Sequence, residues 1–149
     1  LVDYLKTHGL LPRLQSAYLP YHSTETAVLK VISDILFALD SGNLAMLTLL
    51  DLSAAFDSVD HATLIKRLRT SYGLSCTVIG WFASYLSDRT QCVRTAGSSS
   101  APLPVWFGVP QGSVLGPILF LLYTADLISL IEHHRLTPHA FADDTQILW

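Results

Sequence analysis

The sequence contains little charge, little sulfur and no excess of basic residues. Charged side chains make up only 14% of the 149 residues, and 9 lysines and arginines face 12 aspartates and glutamates. The net charge of −3 lacks the basic excess that usually marks a nucleic-acid-binding protein. The two cysteines, Cys76 and Cys92, have no metal-type spacing, and this sparse cysteine usage fits a reducing compartment.

Zinc-site and targeting signals are also missing. The histidines His133, His134 and His139 have no cysteine or patterned histidine that would complete a tetrahedral zinc site. No basic segment followed by an apolar one opens the chain, so no signal peptide is indicated. We therefore predict an intracellular protein, of the nucleus or the cytoplasm, that is not secreted.

Apolar residues are abundant. They make up 50% of the chain, which predicts a sizeable core in one domain or a large part of one. Residues 114–131 approach membrane-spanning length but include Gly116, Pro117 and Asp126, whereas a span needs about 20 mostly apolar residues. We therefore predict a buried core helix at this position and no membrane partner.

The spacing of apolar and helix-breaking residues predicts the secondary structure. Helices are predicted within 1–22, over 23–42, from about 64 to 73, over 75–87 and over 114–131. Strands are predicted over 45–52, 89–95 and 103–107, with a loop at 97–100. The run over 45–52 is continuously apolar, which is typical of a strand buried on both faces. The predicted buried stripe of the fourth helix is Val78, Ile79, Phe82, Tyr85 and Leu86.

Two adjacent acids, Asp143 and Asp144, lie between an apolar approach over 138–142 and an apolar exit over 147–149. This pattern predicts a strand, a tight turn and a second strand, with the acids at the bend. A turn alone needs one aspartate, and it prefers Asn or Gly beside it. Adjacent like charges repel each other, and a divalent cation is the usual remedy. Asp51, at the end of an apolar run, is the best candidate for a third oxygen ligand.

Two further features could contact a ligand. The segment Gly108–Ser113 contains two glycines and a proline just before a predicted helix, which imposes a specific backbone path. Gln111 in this segment suits close approach to a planar or anionic ligand, or alternatively faces solvent in a capped loop. The bases Lys66, Arg67 and Arg69 share one helix face, which is either solvated or in contact with phosphate.

Three stretches together resemble the core polymerase motifs of reverse transcriptases, and more narrowly those of non-LTR (LINE-type) retrotransposons. In chain order they are Leu50–Asp57, Gly108–Ser113 and Phe141–Asp144. The segment Gln15–Ala27 is similar to the fingers-region motif of the same family, so the resemblance covers the chain from about residue 10.

The resemblance implies a role for each matching residue. Asp51 and Asp143 are expected to hold magnesium, with Asp144 as the partner acid, in a two-ion site that takes Mg²⁺ or alternatively Mn²⁺. Phe56 matches the aromatic gate that disfavours a 2′-hydroxyl, although a core phenylalanine is the alternative. Gln111 and Gly112 match the motif near the template base and nucleotide. The implied partners are an RNA template, a DNA primer and a dNTP, and protein partners are left open.

The resemblance also implies a palm-and-fingers fold of the α/β (α+β) class, with a small, mainly antiparallel sheet packed against helices. Fingers-like elements are expected within 1–44 and about 74–110, and the palm core within about 45–73 and 111–149. The sequence stops five residues after Asp144. We therefore expect a partial domain whose sheet is incomplete at its C-terminal end.

Two alternatives from other functional classes stay open at this point. A catalytically inactive, truncated remnant would only bind nucleic acid or a protein partner. It is favoured by Leu19 and His22, which occupy positions where relatives often carry basic residues. An unrelated metal-dependent hydrolase could use the same acids, but the Gly108–Ser113 segment counts against it. For Asp60 we predict a helix cap, whereas Asp57 and His61 receive no role.

Overall fold

The structure is a computed structural model that describes residues 1–12 and 14–149. The helices are α1 (Val2–Thr7), α2 (Thr24–Asp40), α3 (His61–Thr70), α4 (Cys76–Leu86) and α5 (Leu115–His133), with a 3₁₀ turn at Ala55–Ser58. The strands are β1 (Leu47–Leu50), β2 (Thr90–Gln91), β3 (Arg94–Thr95), β4 (Ser98–Ser99), β5 (Leu103–Pro104), β6 (Thr137–Phe141) and β7 (Asp144–Leu148). Helices combined with small antiparallel sheets confirm the predicted α/β (α+β) class.

The chain divides into two compact units. The first comprises Leu1–Ala55 and Thr124–Trp149, and the second comprises Phe56–Tyr123. The expected fingers and palm segments have other boundaries, and their assignment stays a prediction because compactness does not reveal which segment contacts a template.

Helix α2 of the first unit begins where its capping chemistry predicts. The Ser23 hydroxyl accepts a hydrogen bond from Thr26 N–H at 3.3 Å, and the Thr26 hydroxyl accepts one from Ser23 N–H at 2.9 Å. This reciprocal pair satisfies two of the backbone donors that a helix start leaves free. The helix packs against β6.

The sheet of the first unit has the strand order β1-β7-β6, and all of its pairs are antiparallel. The prediction of a strand over 45–52 buried on both faces is wrong in length and in burial. β1 covers only Leu47–Leu50, and Leu49 is 68% exposed. The physical reason is its position: in the part of the chain that the structure describes, β1 is an edge strand with β7 as its one hydrogen-bonded neighbour.

In the second unit, α3 and α4 pack against each other. Their fully or nearly buried side chains are Leu64, Leu68, Ile79, Phe82 and Leu86. Ile79, Phe82 and Leu86 of the predicted stripe are confirmed, whereas Tyr85 is only half-buried and Val78 is 39% exposed, which corrects their assignment to the core. Asp60 caps α3 as predicted, because its carboxylate accepts a hydrogen bond from Thr63 N–H at 2.8 Å.

Residues 90–104 form two short ladders rather than one long hairpin. β2 pairs with β5, and β3 pairs with β4. The prediction that 97–100 is a loop is wrong, because Ser98–Ser99 forms β4. The Ser98 and Thr95 hydroxyls lie 2.8 Å apart across this ladder, and such side-chain bonds support the pairing of small polar residues.

Helix α5 is long and apolar enough to cross a membrane by length and composition alone. Its buried side chains nevertheless place much of it in the protein core, as predicted: Leu119, Phe120, Leu121, Leu122, Ile128 and Ile131. Pro117 lies in the first turn of this helix, where its missing N–H breaks no intrahelical hydrogen bond.

Candidate active site at the acid hairpin

The predicted strand, tight turn and strand are confirmed, but of the two acids only Asp143 lies in the turn, because Asp144 is the first residue of β7. Phe141 and Asp144 form the last pair between β6 and β7, so Ala142 and Asp143 are the two turn residues. Ala142 has φ +56, and Asp143 is partly buried whereas Asp144 is exposed. A left-handed alanine costs about 1–2 kcal/mol, which the surrounding structure must supply.

The sheet register brings Asp51 to the same end of the sheet. Leu50 pairs with Thr145, and both residues neighbour an acid: Asp51 directly follows β1, and Asp144 is the first residue of β7. Continuing the ladder by one residue would set Asp51 opposite Asp144. Two residues that directly neighbour acids far apart in sequence are therefore paired in the fold.

The carboxylates themselves do not form a closed ligand set. Across residues 1–12 and 14–149, no three His, Cys, Asp or Glu side chains converge as metal ligands do. Within the same residues, no basic side chain forms an ion pair with Asp51, Asp143 or Asp144. The backbone thus brings acidic residues to one end of the sheet, and among the described residues none of these three acids is in an ion pair. The predicted metal roles of these acids stay predictions.

Residues of the N-terminal segment border the acid hairpin. This contact was not predicted from the sequence. The Gln15 amide donates a hydrogen bond to Ala142 O at 3.1 Å and accepts one from Ala142 N–H at 2.9 Å. Burial raises the pKa of the Tyr18 hydroxyl, and the charge of Asp143 raises that pKa further. No local pattern links Gln15 with Ala142, because 127 positions separate them. The one sequence feature that could have indicated a supporting contact is Ala142 itself, because a tight hairpin turn prefers Asn or Gly at such a position.

In the second unit, the Gly108–Ser113 segment packs against the residues around Phe56. Gly108 N–H donates to Val59 O at 2.8 Å, and Val109 N–H donates to Phe56 O at 2.9 Å. Gly108 has φ +86, and a Cβ added there would lie 2.8 Å from the Asp57 Cα. The close approach of these two backbone segments therefore requires glycine.

Side chains complete this contact. His61 Nε2 lies 2.7 Å from Gly108 O and Arg89 Nη1 donates to the same oxygen at 3.1 Å. Gln111 Nε2 donates to an Asp57 carboxylate oxygen at 3.3 Å. His61 and Asp57 received no role from the sequence, and here they connect the two motifs that carry Phe56 and Gln111.

The Phe56 ring is half-buried and lies 4.7 Å from the Phe120 ring, centroid to centroid. This contact fits a packed phenylalanine and leaves part of the ring exposed, so the gate role stays a prediction. Among the predicted phosphate-contacting bases, Arg67 lies 4.9 Å from the centroid of the Tyr123 ring. Lys66 and Arg69 are exposed. Their contact with nucleic acid also stays a prediction.

Comparison with known proteins gives a match over the whole chain. The family described as reverse transcriptase (RNA-dependent DNA polymerase) matches residues 1–149. The probable RNA-directed DNA polymerase from transposon BS of Drosophila melanogaster is 34% identical over 99% of this chain and 17% of its own length. The corresponding protein from transposon X-element is 34% identical over 100% of this chain and 16% of its own length. The chain thus spans about one sixth of these relatives.

Among solved structures, a chain of a partial Cas6-RT-Cas1–Cas2 complex aligns with 91% of this chain and 21% of its own length. The sequence identity is 25% and the TM-score is 0.43.

Proposed function

Because the chain belongs to the reverse transcriptase family, we propose that it supplies the catalytic core of an RNA-directed DNA polymerase of a LINE-type mobile element. In this reaction a primer 3′-hydroxyl attacks a deoxynucleoside triphosphate opposite an RNA template, and pyrophosphate leaves. The single observation that supports it most strongly is the pairing of Leu50 with Thr145, because these two residues directly neighbour Asp51 and Asp144.

The donor set suits a hard divalent cation. Carboxylate oxygens are the ligands that Mg²⁺ prefers, and the negative charge of Asp51, Asp143 and Asp144 would favour its binding. We propose that these three acids hold two Mg²⁺ ions, with Mn²⁺ as an alternative. When bound, such ions activate the attacking oxygen and neutralise the departing phosphates. No protein nucleophile is then required.

The second unit would contribute substrate selection. The exposed part of the Phe56 ring would lie under the incoming sugar and exclude a 2′-hydroxyl by steric conflict. Gln111 and Gly112 would contact the nucleotide and the template base. The Gln111 side chain donates a hydrogen bond to Asp57, the residue directly after Phe56, which supports a shared role of the two motifs. Lys66, Arg67 and Arg69 would contact template or primer phosphates.

Primer extension on an RNA template with Mg²⁺ tests the proposal. Asp143→Asn should lower extension about a hundredfold or more, since metal charge stabilisation is worth several kcal/mol and 1.36 kcal/mol is tenfold in rate. Asp40→Asn, the same chemical change at the end of α2, is the matched control and should keep the wild-type rate. Equal extension by wild type and Asp143→Asn would remove the assignment. No extension by the wild type, with salt-sensitive RNA binding retained, would favour the inactive remnant.

A further inference from the structure

The turn between β6 and β7 contains an alanine in a backbone conformation that alanine rarely adopts. Ala142 has φ +56, in the left-handed region that residues other than glycine, asparagine and aspartate rarely occupy. It is the first of two turn residues, and Asp143 is the second. The conformation of Ala142 therefore sets the direction in which the Asp143 side chain leaves the hairpin.

The Gln15 side chain supplies the contacts that hold this conformation. Its amide nitrogen donates to Ala142 O, and its amide oxygen accepts from Ala142 N–H and from Ala17 N–H at 3.0 Å. Gln15 is only 5% exposed, so water does not compete freely for these groups. Both backbone polar groups of Ala142 are thereby paired with a single side chain.

Gln15 is itself fixed in place by its backbone neighbours. Ser16 N–H donates to Ala140 O at 2.8 Å, and Ala140 N–H donates to Leu14 O at 2.9 Å. These bonds dock the N-terminal segment along the free edge of β6 as a short parallel bridge. Gln15 is thus held opposite Ala140, two residues before Ala142. Its side-chain amide therefore needs little reordering to reach Ala142.

We infer that Gln15 is a positioning residue of the active site: its amide clamps Ala142 in the left-handed conformation and so aims Asp143 at the metal that the acids would hold. This inference rests on the proposed function for the role of Asp143. The clamp geometry and the metal affinity can be measured separately, and neither measurement requires polymerase activity.

Amide hydrogen exchange and nuclear Overhauser effects test the clamp in the 149-residue chain. The wild type should show a cross-peak between the Gln15 side-chain amide protons and the Ala142 N–H, and its absence would contradict the clamp. Gln15→Leu should raise the exchange rate of the Ala142 N–H about tenfold, the loss expected for one hydrogen bond. Gln146→Leu, the same change on β7, should leave that rate unchanged. Gln15→Asn, too short to reach Ala142, serves as the second variant where Gln15→Leu fails to fold.

Titration with Mn²⁺ alone tests the positioning role, read as paramagnetic broadening of the Asp143 amide resonance. Gln15→Leu should weaken the apparent affinity about 10- to 100-fold, as loss of a supporting residue does at metal sites. Adding Ala142→Gly should recover part of this loss, because glycine adopts positive φ without steric cost. Equal Mn²⁺ affinity in wild type and Gln15→Leu would overturn the positioning role alone. Absence of broadening in the wild type would also contradict the proposed function.

Discussion

Gly108 and Gly112 provide a matched pair of substitutions that tests how the second unit brings its two motifs together. Both glycines lie in one segment and both have positive φ, at +86 and +75. A Cβ at Gly112 would meet nothing within 4 Å. A Cβ at Gly108 would lie 2.8 Å from the Asp57 Cα and 3.0 Å from Phe56 O, which are backbone atoms that cannot rotate away.

The expected magnitudes follow from these distances. Gly112→Ala should cost only the left-handed strain, about 1–2 kcal/mol. Gly108→Ala should carry the same strain and also force two backbone segments apart, which adds about 1–3 kcal/mol for overpacking. For a chain of 149 residues, each kcal/mol corresponds to about 2–4 °C in Tm. The free energy of unfolding should therefore separate the two variants, although the chemical change is identical.

Urea denaturation followed by circular dichroism measures this difference as a shift of midpoint at constant slope. Destabilisation of both variants to the same extent, within about 0.5 kcal/mol, would show that the close approach at Gly108 contributes nothing and would refute the reasoning.

Two further predictions concern His139 and Phe56. Burial lowers the pKa of His139, the Lys30 charge lowers it further, and Asp34 partly opposes this. Because the unfolded chain binds the proton at the ordinary pKa of 6.5, stability should fall as pH drops below that value. His139→Phe should flatten the dependence of the urea midpoint on pH. His134→Gln, a change at an exposed histidine, is the control. A pH slope retained in His139→Phe and lost in His134→Gln would contradict the assignment. Phe56→Ala should raise the use of ribonucleotides relative to deoxynucleotides in primer extension; unchanged sugar selectivity would return Phe56 to a packing role beside Phe120.

Features that depend on neighbouring residues in the sequence were predictable. In the Ser23 and Asp60 caps, the side-chain oxygen pairs with the backbone N–H three residues later, so both partners lie in one short sequence pattern. The hairpin itself follows from the apolar runs on both sides of the two adjacent acids, although its turn is shifted by one residue to Ala142 and Asp143. In each case the physical cause lies within a few residues, so the pattern and the structure report the same interaction.

Features that depend on sheet order were not predictable. The apolar run over 45–52 has the composition of a buried central strand, yet β1 lies at an edge with Leu49 exposed. Strand composition reports how much apolar surface is available for burial, whereas the position of a strand decides how much is buried. The Gln111–Asp57 bond spans 54 positions and has the same non-local character.

Ala142 shows how a local conflict can reveal a distant contact. A two-residue hairpin turn favours glycine or asparagine where φ is positive, and this chain has alanine there. Natural sequences keep such a conflict only where other interactions compensate for it, often at functional sites. The compensating group is the buried amide of Gln15, and it acts on the residue directly before Asp143. A mismatch between turn type and residue, next to a chemically active side chain, therefore indicates where a supporting residue should be sought in the fold.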